Sequence, residues 1–558
     1  MLQGDLLSVI LFILAFNPLS FLLNKCDGYQ MGAPGNRDKT ITHLSFVDDM
    51  KLYAGSRETL VKQLDVVSTF SKDVGMSFGE DKCAYVYVEK GKRKTLGSSI
   101  VINGLTIQEL AVEKTYKYLG VDETVKFDSE LNKHNVQTEY KRRLRKIWTS
   151  ELNGHNKVIA TNVFAVPIVT YGYGILDWTK QEIRNLDITT RKVMNMANSL
   201  NRRSDVDRIY VSRKQGGRGL RNLEDEYVKR IVGLNQHLVR ERMNNPLLDA
   251  IMRNNMQTIT MVATNILREM DITADPDSTP RQITSCVGAK LQATRIYGWK
   301  RKSTHGYFPS RMPEDTDAEM SWSWLQSGTL TSQVESYVIT MQDQEIYTRE
   351  TRKRHEKDPV KKRQLDGRCR VCKTNEETLQ HILCCCSSLS PSLYLENRHN
   401  PVAKVVYDDL VRKYELRDSK IPLAVNTSDK CDVWWDQKIN MPTGIKHNKP
   451  DIVVWDKDNK RCQVIDISVP LDTNIEKSYD DKVTAYLPLV GELARLYREY
   501  KYEVVPVIIG ALGTVNTKLL TSIDKLELAD TKRTVRQIQK RAIIGSLKVV
   551  KTVMKMRE

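Results

Sequence analysis

Residues 449–486 read KPDIVVWDKDNKRCQVIDISVPLDTNIEKSYDDKVTAY and set the architecture of the C-terminal part of the chain. Two runs rich in apolar and β-branched residues, 452–455 and 461–469, flank a polar segment. This pattern predicts two antiparallel strands joined by a two-residue turn at Asp458 and Asn459. In that register Asp451 lies directly across from Asp466, with the two Cβ atoms about 5 Å apart on one face.

Two carboxylates at that distance repel each other unless they share a cation, so the pair predicts a Mg²⁺ site. Residues 476–486 are predicted to form a helix that carries Lys482 and Tyr486 four positions apart on one face. A lysine beside the metal orients water or stabilises the charge of a phosphorane-like transition state. Residues 504–513 predict a third, buried strand. The alternative is a surface hairpin with an unrelated lysine.

A cluster of cysteines lies upstream, where Cys369 and Cys372 are followed by His381 and Cys386. This spacing predicts a tetrahedral Zn²⁺ site that stabilises a segment with little core of its own. The adjacent Cys384 and Cys385 leave the choice of fourth ligand open. The alternative is a group of reduced, unliganded thiols, since the ten cysteines do not suggest a disulfide framework.

The N-terminal region carries a second pair of acids, Asp48 and Asp49, after Ser45-Phe46-Val47. The pattern predicts a hairpin with the carboxylates at its tip, and carboxylates are the groups that hold the Mg²⁺ ions in two-metal phosphoryl transfer. A solvated Asp-Asp turn is the alternative. Three further motifs accompany the pair in sequence: Gln3-Gly4-Asp5 before an apolar helix, Gly75-Met76-Ser77-Phe78 with Lys82, and Tyr116-Lys117-Tyr118-Leu119-Gly120-Val121.

Charge and hydropathy narrow the class of protein. The 86 Lys and Arg residues against 69 Asp and Glu residues leave a net charge of +17, which favours a nucleic-acid partner. The apolar run 6–23 lacks a basic flank before it and is interrupted by Asn17 and Pro18, so a buried helix is favoured over a signal peptide or a membrane anchor.

The middle of the chain is predicted to be largely helical. Residues 140–236 carry basic clusters at 141–146 and 213–220, which are either a nucleic-acid grip or a solvated helix face. Residues 275–365 are polar and contain Trp299, Trp322 and Trp324. A small packed core is favoured over base stacking for these aromatic rings.

Taken in order, these motifs resemble the C-terminal part of a non-LTR, LINE-type retrotransposon polyprotein of the site-specific class with a restriction-like endonuclease. The resemblance implies that Asp48 is a Mg²⁺ ligand, with Asp49 as its catalytic partner. It implies a nucleotide and template pocket at Gln3 and Gly4, and a primer grip at Tyr118, Leu119 and Gly120. Further nucleic-acid contacts are expected at Lys82, Arg142, Arg143, Arg398 and His399.

For the C-terminal part the resemblance implies a CCHC zinc knuckle with the ligands Cys369, Cys372, His381 and Cys386. It also implies an endonuclease in which Asp451 and Asp466 hold Mg²⁺, Lys482 is the catalytic lysine and Tyr486 supports them. Most restriction-like nucleases carry the lysine two residues after the second acid, where this chain has Ser468. The retrotransposon variant takes the lysine from the following helix, which fits Lys482.

The N-terminal part departs from this family pattern. A further catalytic aspartate and the fingers region, which the family places upstream of Gln3, are not in the sequence. Leu2 and Val47 also stand where the family usually has a basic residue and an alanine. A two-metal site without one of its carboxylates binds Mg²⁺ poorly, so we expect that this chain alone does not polymerise DNA.

The predicted architecture is an α+β multidomain chain. Its parts are a partial reverse-transcriptase palm at 1–135, a thumb at 136–240, a helical linker at 241–365, a zinc knuckle at 366–400, an α/β restriction-like, PD-(D/E)xK endonuclease at 401–525 and a basic C-terminal helix at 526–558. The resemblance implies target-primed reverse transcription with element RNA and target DNA as partners, a homodimer on that DNA as a further option, no membrane partner, and a nuclear location besides a cytoplasmic ribonucleoprotein. The alternative is a non-catalytic, nucleic-acid-binding relic of such an element.

Overall fold

A computed structural model describes residues 6–31, 39–77, 79, 82–123, 127–255, 257–389, 392–441 and 444–556. The chain divides into two compact units. The first, unit 1, comprises Met1–Thr138, Gly174–Trp178 and His237–Met261. The second, unit 2, comprises Glu139–Tyr173, Thr179–Gln236 and Val262–Glu558.

The N-terminal part of unit 1 is a mixture of two helices and short strands. The helices are α1 (Leu6–Leu23) and α2 (Arg57–Asp73), and the strands are β1 (Tyr29–Met31), β2 (Lys39–Ile41), β3 (His43–Phe46), β4 (Asp49–Leu52), β5 (Ala84–Tyr85), β6 (Tyr87–Glu89), β7 (Lys92–Lys94), β8 (Ile100–Ile102), β9 (Leu105–Glu109), β10 (Tyr116–Tyr118) and β11 (Val121–Glu123). Strands β5, β9 and β8 form a three-stranded sheet, and the others pair as β1-β2, β3-β4, β6-β7 and β10-β11.

Helix α2 organises the core of this part. Its residue Leu64 packs with Tyr85, Ile100 and Ile107 of the small sheet, and Val67 packs with Leu19 and Leu23 of α1. The apolar run 6–23 is therefore a helix, but the prediction of a buried helix is only partly right: its C-terminal end packs against α2, whereas Ile10, Ile13 and Leu14 are exposed. None of the helices in the described part of the chain is long and apolar enough to cross a membrane.

The chain continues through a long helical segment that ends shortly before the cysteine cluster. Its helices are α3 (Ser129–Thr149), α4 (Gly154–Ala160), α5 (Val166–Tyr171), α6 (Lys180–Met196), α7 (Val206–Tyr210), α8 (Leu223–Glu241), α9 (Pro246–Asn255), α10 (Gln257–Glu269), α11 (Pro280–Lys300), α12 (Tyr307–Ser310), α13 (Ala318–Ser321), α14 (Ser323–Gln326), α15 (Ser332–Gln342), α16 (Arg349–His355) and α17 (Pro359–Gln364). Short π-helical turns at Thr161–Ala165, His381–Cys385 and Ser392–His399 and 3-10 turns at Arg213–Gln215, Ser387–Leu389 and Asp472–Asn474 complete the helical elements.

Trp299, Trp322 and Trp324 are buried in one apolar cluster of unit 2 with residues of α15 and of the cysteine-rich segment. The packed-core interpretation of these rings therefore agrees with the structure.

The basic cluster 213–220 is not a solvated face, because Arg213 and Arg218 are buried and pair with Glu335 at 2.9 and 3.1 Å. Burial of these charges is tolerated because each is paired.

The C-terminal part is a five-stranded sheet covered on both faces. Its strands are β12 (Val425–Thr427), β13 (Cys431–Trp435), β14 (Ile452–Asp456), β15 (Arg461–Ser468) and β16 (Lys501–Ile508), in the order β12-β13-β14-β15-β16. The helices are α18 (Asn400–Lys413), α19 (Ile475–Leu496), α20 (Thr517–Asp524) and α21 (Thr531–Lys555). The β15-β16 pair is parallel, and the other three pairs are antiparallel.

The two faces of this sheet belong to different apolar clusters. Ile465 and Ile467 pack with residues of α18, α20 and α21, whereas Val464 packs with Leu489 and Leu493 of α19. Burial on both sides explains why β15 reads as a nearly continuous apolar run rather than as an alternating one.

The predicted register of the central hairpin is confirmed, since Ile452 pairs with Ile465, and the same register continued by one residue sets Asp451 opposite Asp466. The predicted two-residue turn is wrong. The last paired residues are Asp456 and Arg461, so residues 457–460 form the turn. Asp456 accepts hydrogen bonds from the backbone and side-chain amides of Asn459, at 2.9 Å each, and this carboxylate closes the wider turn.

Gly545 lies where the backbone of α21 packs closely against the segment that precedes α18. A Cβ atom at this position would lie 2.6 Å from Arg398 Cα and 2.7 Å from Asn397 O. Only a residue without a side chain allows this contact between two backbones.

We expect Gly545→Ala to destabilise the protein by about 1 to 3 kcal/mol, because the added methyl group pushes α21 away from Arg398. Thermal unfolding of the parent and the variant measures the effect. The matched control is Gly491→Ala in α19, where a Cβ atom meets nothing within 4 Å and the substitution should be neutral or slightly stabilising. Equal unfolding temperatures for the parent and Gly545→Ala would contradict this close packing.

Candidate functional site

Asp451 lies immediately before β14, directly after Pro450. Its Oδ2 atom accepts a hydrogen bond of 2.6 Å from the backbone amide of Ile467 on β15. The carboxylate therefore leans across the hairpin toward the strand that carries Asp466. Its side chain remains one-fifth exposed, which leaves oxygen surface for a ligand.

Asp466 on β15 is buried and is held by two residues of α19. The hydroxyl group of Tyr486 donates to Asp466 Oδ1 at 2.7 Å and also lies 3.1 Å from the carbonyl oxygen of Lys449. The ammonium group of Lys482 forms an ion pair with Asp466 Oδ2 at 2.5 Å. The predicted set Asp451, Asp466, Lys482 and Tyr486 is thus brought together by two strand ends and one helix face.

The electrostatics of these carboxylates favour a bound cation. Burial, followed by the charge of Asp451, raises the pKa of Asp466, while Lys482 and Tyr486 oppose that rise. Asp466 Oδ2 is buried, and its charge partner within the described structure is the ammonium group of Lys482. Two neighbouring carboxylates are oxygen ligands of the kind that Mg²⁺ prefers, so Asp451 and Asp466 fit this ion.

His399 joins this site from a position 52 residues away in the chain. Its Nε2 atom lies 3.2 Å from Asp451 Oδ2 and 3.1 Å from the carbonyl oxygen of Ile467. Burial lowers the pKa of His399, but the hydrogen bond and charge of Asp451 outweigh burial and raise it to about 9. The resemblance predicts His399 as a nucleic-acid contact, and no local spacing in the sequence signals its place beside Asp451.

The four predicted zinc ligands lie together in the described structure. The ligand atoms of Cys369, Cys372, His381 and Cys386 are all within 4.8 Å of one another, and Cys372 Sγ lies 3.4 Å from His381 Nε2. Burial opposes ionisation of Cys372, but hydrogen bonds from Thr374, from nearby backbone amides and from His381 outweigh it and lower its pKa to about 5. Three thiols and one imidazole at this spacing fit a tetrahedral Zn²⁺ ion.

The geometry distinguishes among the three consecutive cysteines. Cys386 is the one that joins the cluster. Cys384 points elsewhere, because its Sγ atom contacts the carbonyl oxygen of Val469 at 3.7 Å and the guanidinium group of Arg398 at 3.8 Å. Cys385 is exposed.

Asp48 and Asp49 lie at the predicted hairpin tip, and both are exposed. Phe46 pairs with Asp49 across a two-residue turn, in which Val47 has φ of 56°. A β-branched residue in this region is strained, which is typical of a turn under functional constraint. Among the described residues, no third carboxylate, thiol or imidazole group joins this pair in a cluster.

The predicted primer-grip residues form a second tight hairpin in unit 1. Tyr118 pairs with Val121, and Leu119 and Gly120 occupy the turn with φ of 47° and 81°. Lys51 on β4 forms an ion pair with Glu123 on β11, which links this hairpin to the one that carries Asp48. Lys82 is exposed, whereas Gln3 and Gly4 lie outside the described residues.

The arginines expected to contact nucleic acid differ in their environment. Arg142 and Arg143 both pair with Glu139 at 2.7 Å, and Arg142 remains largely exposed. Arg398 is buried and donates to the carbonyl oxygen of Leu383 at 2.7 Å and to Ser546 Oγ at 3.3 Å. These contacts describe a packing role, in which Arg398 ties the cysteine-rich segment to α21.

Comparison with known proteins concerns the N-terminal part. Residues 1–122 match the family model described as reverse transcriptase (RNA-dependent DNA polymerase). The segment with the Asp48 and Tyr118 hairpins is thus similar to reverse transcriptase domains, a class that typically uses Mg²⁺ and binds a nucleic-acid template. Such a domain in a multidomain α/β chain supports a retroelement polyprotein. No curated protein matches the chain.

Zinc content tests the cysteine cluster. We expect the purified chain to bind about one Zn²⁺ per chain, and Cys372→Ala to lose that zinc and unfold at a lower temperature, because the metal contributes folding free energy. Elemental analysis and thermal unfolding measure the two effects. Cys385→Ala is the control that should keep the metal. A parent chain without zinc, or a Cys372→Ala variant that retains it, would contradict the assignment.

The His399–Asp451 pair predicts a pH dependence of stability. The folded-state pKa of about 9 exceeds the ordinary value of 6.5, so the pair's contribution is full below about pH 6.5 and is lost as the pH rises toward 9. We expect His399→Gln to be less stable than the parent by at most about 3 kcal/mol at pH 6 and to equal it above pH 9. Thermal unfolding at several pH values without added Mg²⁺ measures this difference, and a difference independent of pH would refute it.

Proposed function

We propose that the C-terminal part of this chain is a Mg²⁺-dependent DNA endonuclease of the restriction-like class, joined to a reverse transcriptase domain of a LINE-type retrotransposon polyprotein. The observation that carries the proposal is the contact of Lys482 and Tyr486 with Asp466, on the strand whose register sets Asp466 opposite Asp451. An arrangement of two acids, a lysine and a tyrosine on a buried hairpin and its covering helix is hard to explain as a surface turn.

Each side chain has a distinct role in this proposal. Asp451 and Asp466 would hold the ion, which supplies a Lewis acid and lowers the pKa of a bound water molecule. Lys482 orients the attacking water or stabilises the charge that develops on the phosphate. Tyr486 fixes the orientation of Asp466, and His399 fixes that of Asp451 through contacts of 2.7 and 3.2 Å.

The chemistry is hydrolysis of a phosphodiester bond. Water attacks the phosphorus atom, the bond to the 3′ oxygen breaks, and that oxygen leaves with a proton as a free 3′ hydroxyl group. A 3′ hydroxyl group is the primer that a reverse transcriptase extends. We therefore propose target-primed reverse transcription as the function of the whole polyprotein, with the cysteine cluster as its zinc knuckle, element RNA as template and nuclear DNA as target.

One observation favours a second candidate, a nucleic-acid-binding protein without cleavage. Lys482 lies 2.5 Å from Asp466 Oδ2, the oxygen that a cation would need, and an ion pair of this kind neutralises the carboxylate without a metal. In the described part of unit 1, Asp48 and Asp49 also lack a third carboxylate partner. In this candidate, the charged residues of the chain serve binding alone.

Nicking of supercoiled DNA tests the proposal. We expect the full chain with Mg²⁺ to convert supercoiled plasmid to the open circle, and Asp466→Ala to reduce that rate by at least about a hundredfold, because one of two metal ligands is removed. Gel electrophoresis over time measures the rate. The matched control is Asp458→Ala, which removes an exposed acid from the turn of the same hairpin and should leave nicking unchanged.

Two results would overturn the endonuclease assignment. One is a parent chain that binds DNA but does not nick it with Mg²⁺ or Mn²⁺. The other is equal nicking by the parent and Asp466→Ala, which would indicate a contaminating nuclease. Either result would favour the second candidate, a nucleic-acid-binding protein without cleavage.

A further inference from the structure

Helix α21 carries an unusual share of the charge of the chain. Its 25 residues include eight lysines and arginines and no acidic residue: Lys532, Arg533, Arg536, Lys540, Arg541, Lys548, Lys551 and Lys555. The helix therefore contributes +8 to the net charge of +17. Almost half of the excess charge lies in one element.

The charges share one side of the helix, because the other side is core. Val535, Ile538, Ala542 and Val549 are buried against the rest of unit 2. The exposed cations include Arg541, Lys548 and Lys555, which are seven positions apart and thus lie along one line of the helix surface. We call the exposed cationic side of α21 the basic ridge.

The basic ridge is not neutralised by the protein itself. No salt bridge among the described residues involves Arg541, Lys548 or Lys555, while Lys551 Nζ lies 5.1 Å from the centre of the Tyr337 ring. Like charges four positions apart, as at Arg536 and Lys540, destabilise a helix, and so do cations in its first turn. A polyanion at the ridge would relieve this repulsion.

The dimensions of the ridge match a DNA duplex. From Arg533 to Lys555 the helix rises about 33 Å at 1.5 Å per residue, which is close to one turn of B-DNA. The ridge is also attached to the candidate nuclease site, since Gly545 packs on Arg398 and the adjacent His399 contacts Asp451. Helix α21 and Asp451 thus both contact the same short segment of chain, residues 397–399.

We propose that the basic ridge is the docking surface for the phosphate backbone of duplex DNA and holds the substrate for the nuclease site. The choice of duplex DNA rests on the proposed endonuclease function, whereas the need for a polyanion rests on the charge of α21. Backbone contacts of this kind bind without reading sequence. They supply affinity and position, and the target sequence is read elsewhere.

The salt dependence of DNA binding tests the ridge. The variant Arg541→Gln/Lys548→Gln/Lys555→Gln removes three ridge charges, and the full chain is titrated with a 30-base-pair duplex without added divalent cation. We expect affinity to fall by about tenfold or more. The slope of log K against log salt concentration should decrease in magnitude by about 2.7, because each phosphate that the protein no longer neutralises accounts for about 0.9.

The matched control is Lys361→Gln/Lys362→Gln/Arg363→Gln, which removes three exposed charges from α17. It should leave the slope within about one unit of the parent value. Thermal unfolding separates a folding defect from a binding defect, because relief of like-charge repulsion should leave the ridge variant at least as stable as the parent.

Three outcomes would contradict the proposal that the basic ridge docks duplex DNA. One is a ridge variant with the parent slope and affinity for duplex DNA. Another is an equal fall in affinity for the α17 control, and a third is weakened binding to single-stranded or duplex RNA while DNA binding persists. A parent that binds through the ridge but does not nick refutes the endonuclease alone, and a nicking parent with an unaffected ridge variant refutes the ridge alone.

Discussion

The pairing register of β14 with β15 is the constraint on which the candidate nuclease site depends. Side chains alternate between the two faces of a strand, so a slip of one residue would turn Asp466 away from Asp451 and away from α19. The register is held because both faces are buried, with Ile465 and Ile467 in one apolar cluster and Val464 in the other. The same burial disfavours the ionised form of the Asp466 carboxylate, and Lys482 and Tyr486 partly offset this effect.

Helix α21 connects parts of unit 2 that the sequence suggests are separate. Its buried residues belong both to the cluster that covers the sheet and to the cluster that contains Trp322 and Cys386. The division of the chain into six domains remains a prediction, but the linker, the cysteine-rich segment and the sheet share packing. The cationic side of the same helix faces solvent, so one element joins the core and carries the charge.

Short-range sequence patterns predicted the features that depend on residues close to one another in the chain. The hairpin register, the helix with Lys482 and Tyr486 and the spacing of the cysteine ligands follow from periodicity and short loops. The turn at 457–460 was predicted one residue too short on each side because the bonds from Asn459 to Asp456 are not visible in the pattern. Local sequence patterns do not predict contacts between residues that are far apart in the chain. Examples are the contact of His399 with Asp451 and that of Arg213 with Glu335, which are 122 residues apart. A basic cluster in sequence does not reveal whether its charges face water or a buried carboxylate.

Arg398 and His399 are neighbours in the chain, yet they serve two different centres. Arg398 donates to the carbonyl oxygen of Leu383, inside the short helix that holds His381, and His399 contacts Asp451. One peptide unit thus links the cysteine cluster to the acidic pair. A substitution that repositions this peptide unit would therefore disturb both centres at once, although they lie in different parts of the sequence.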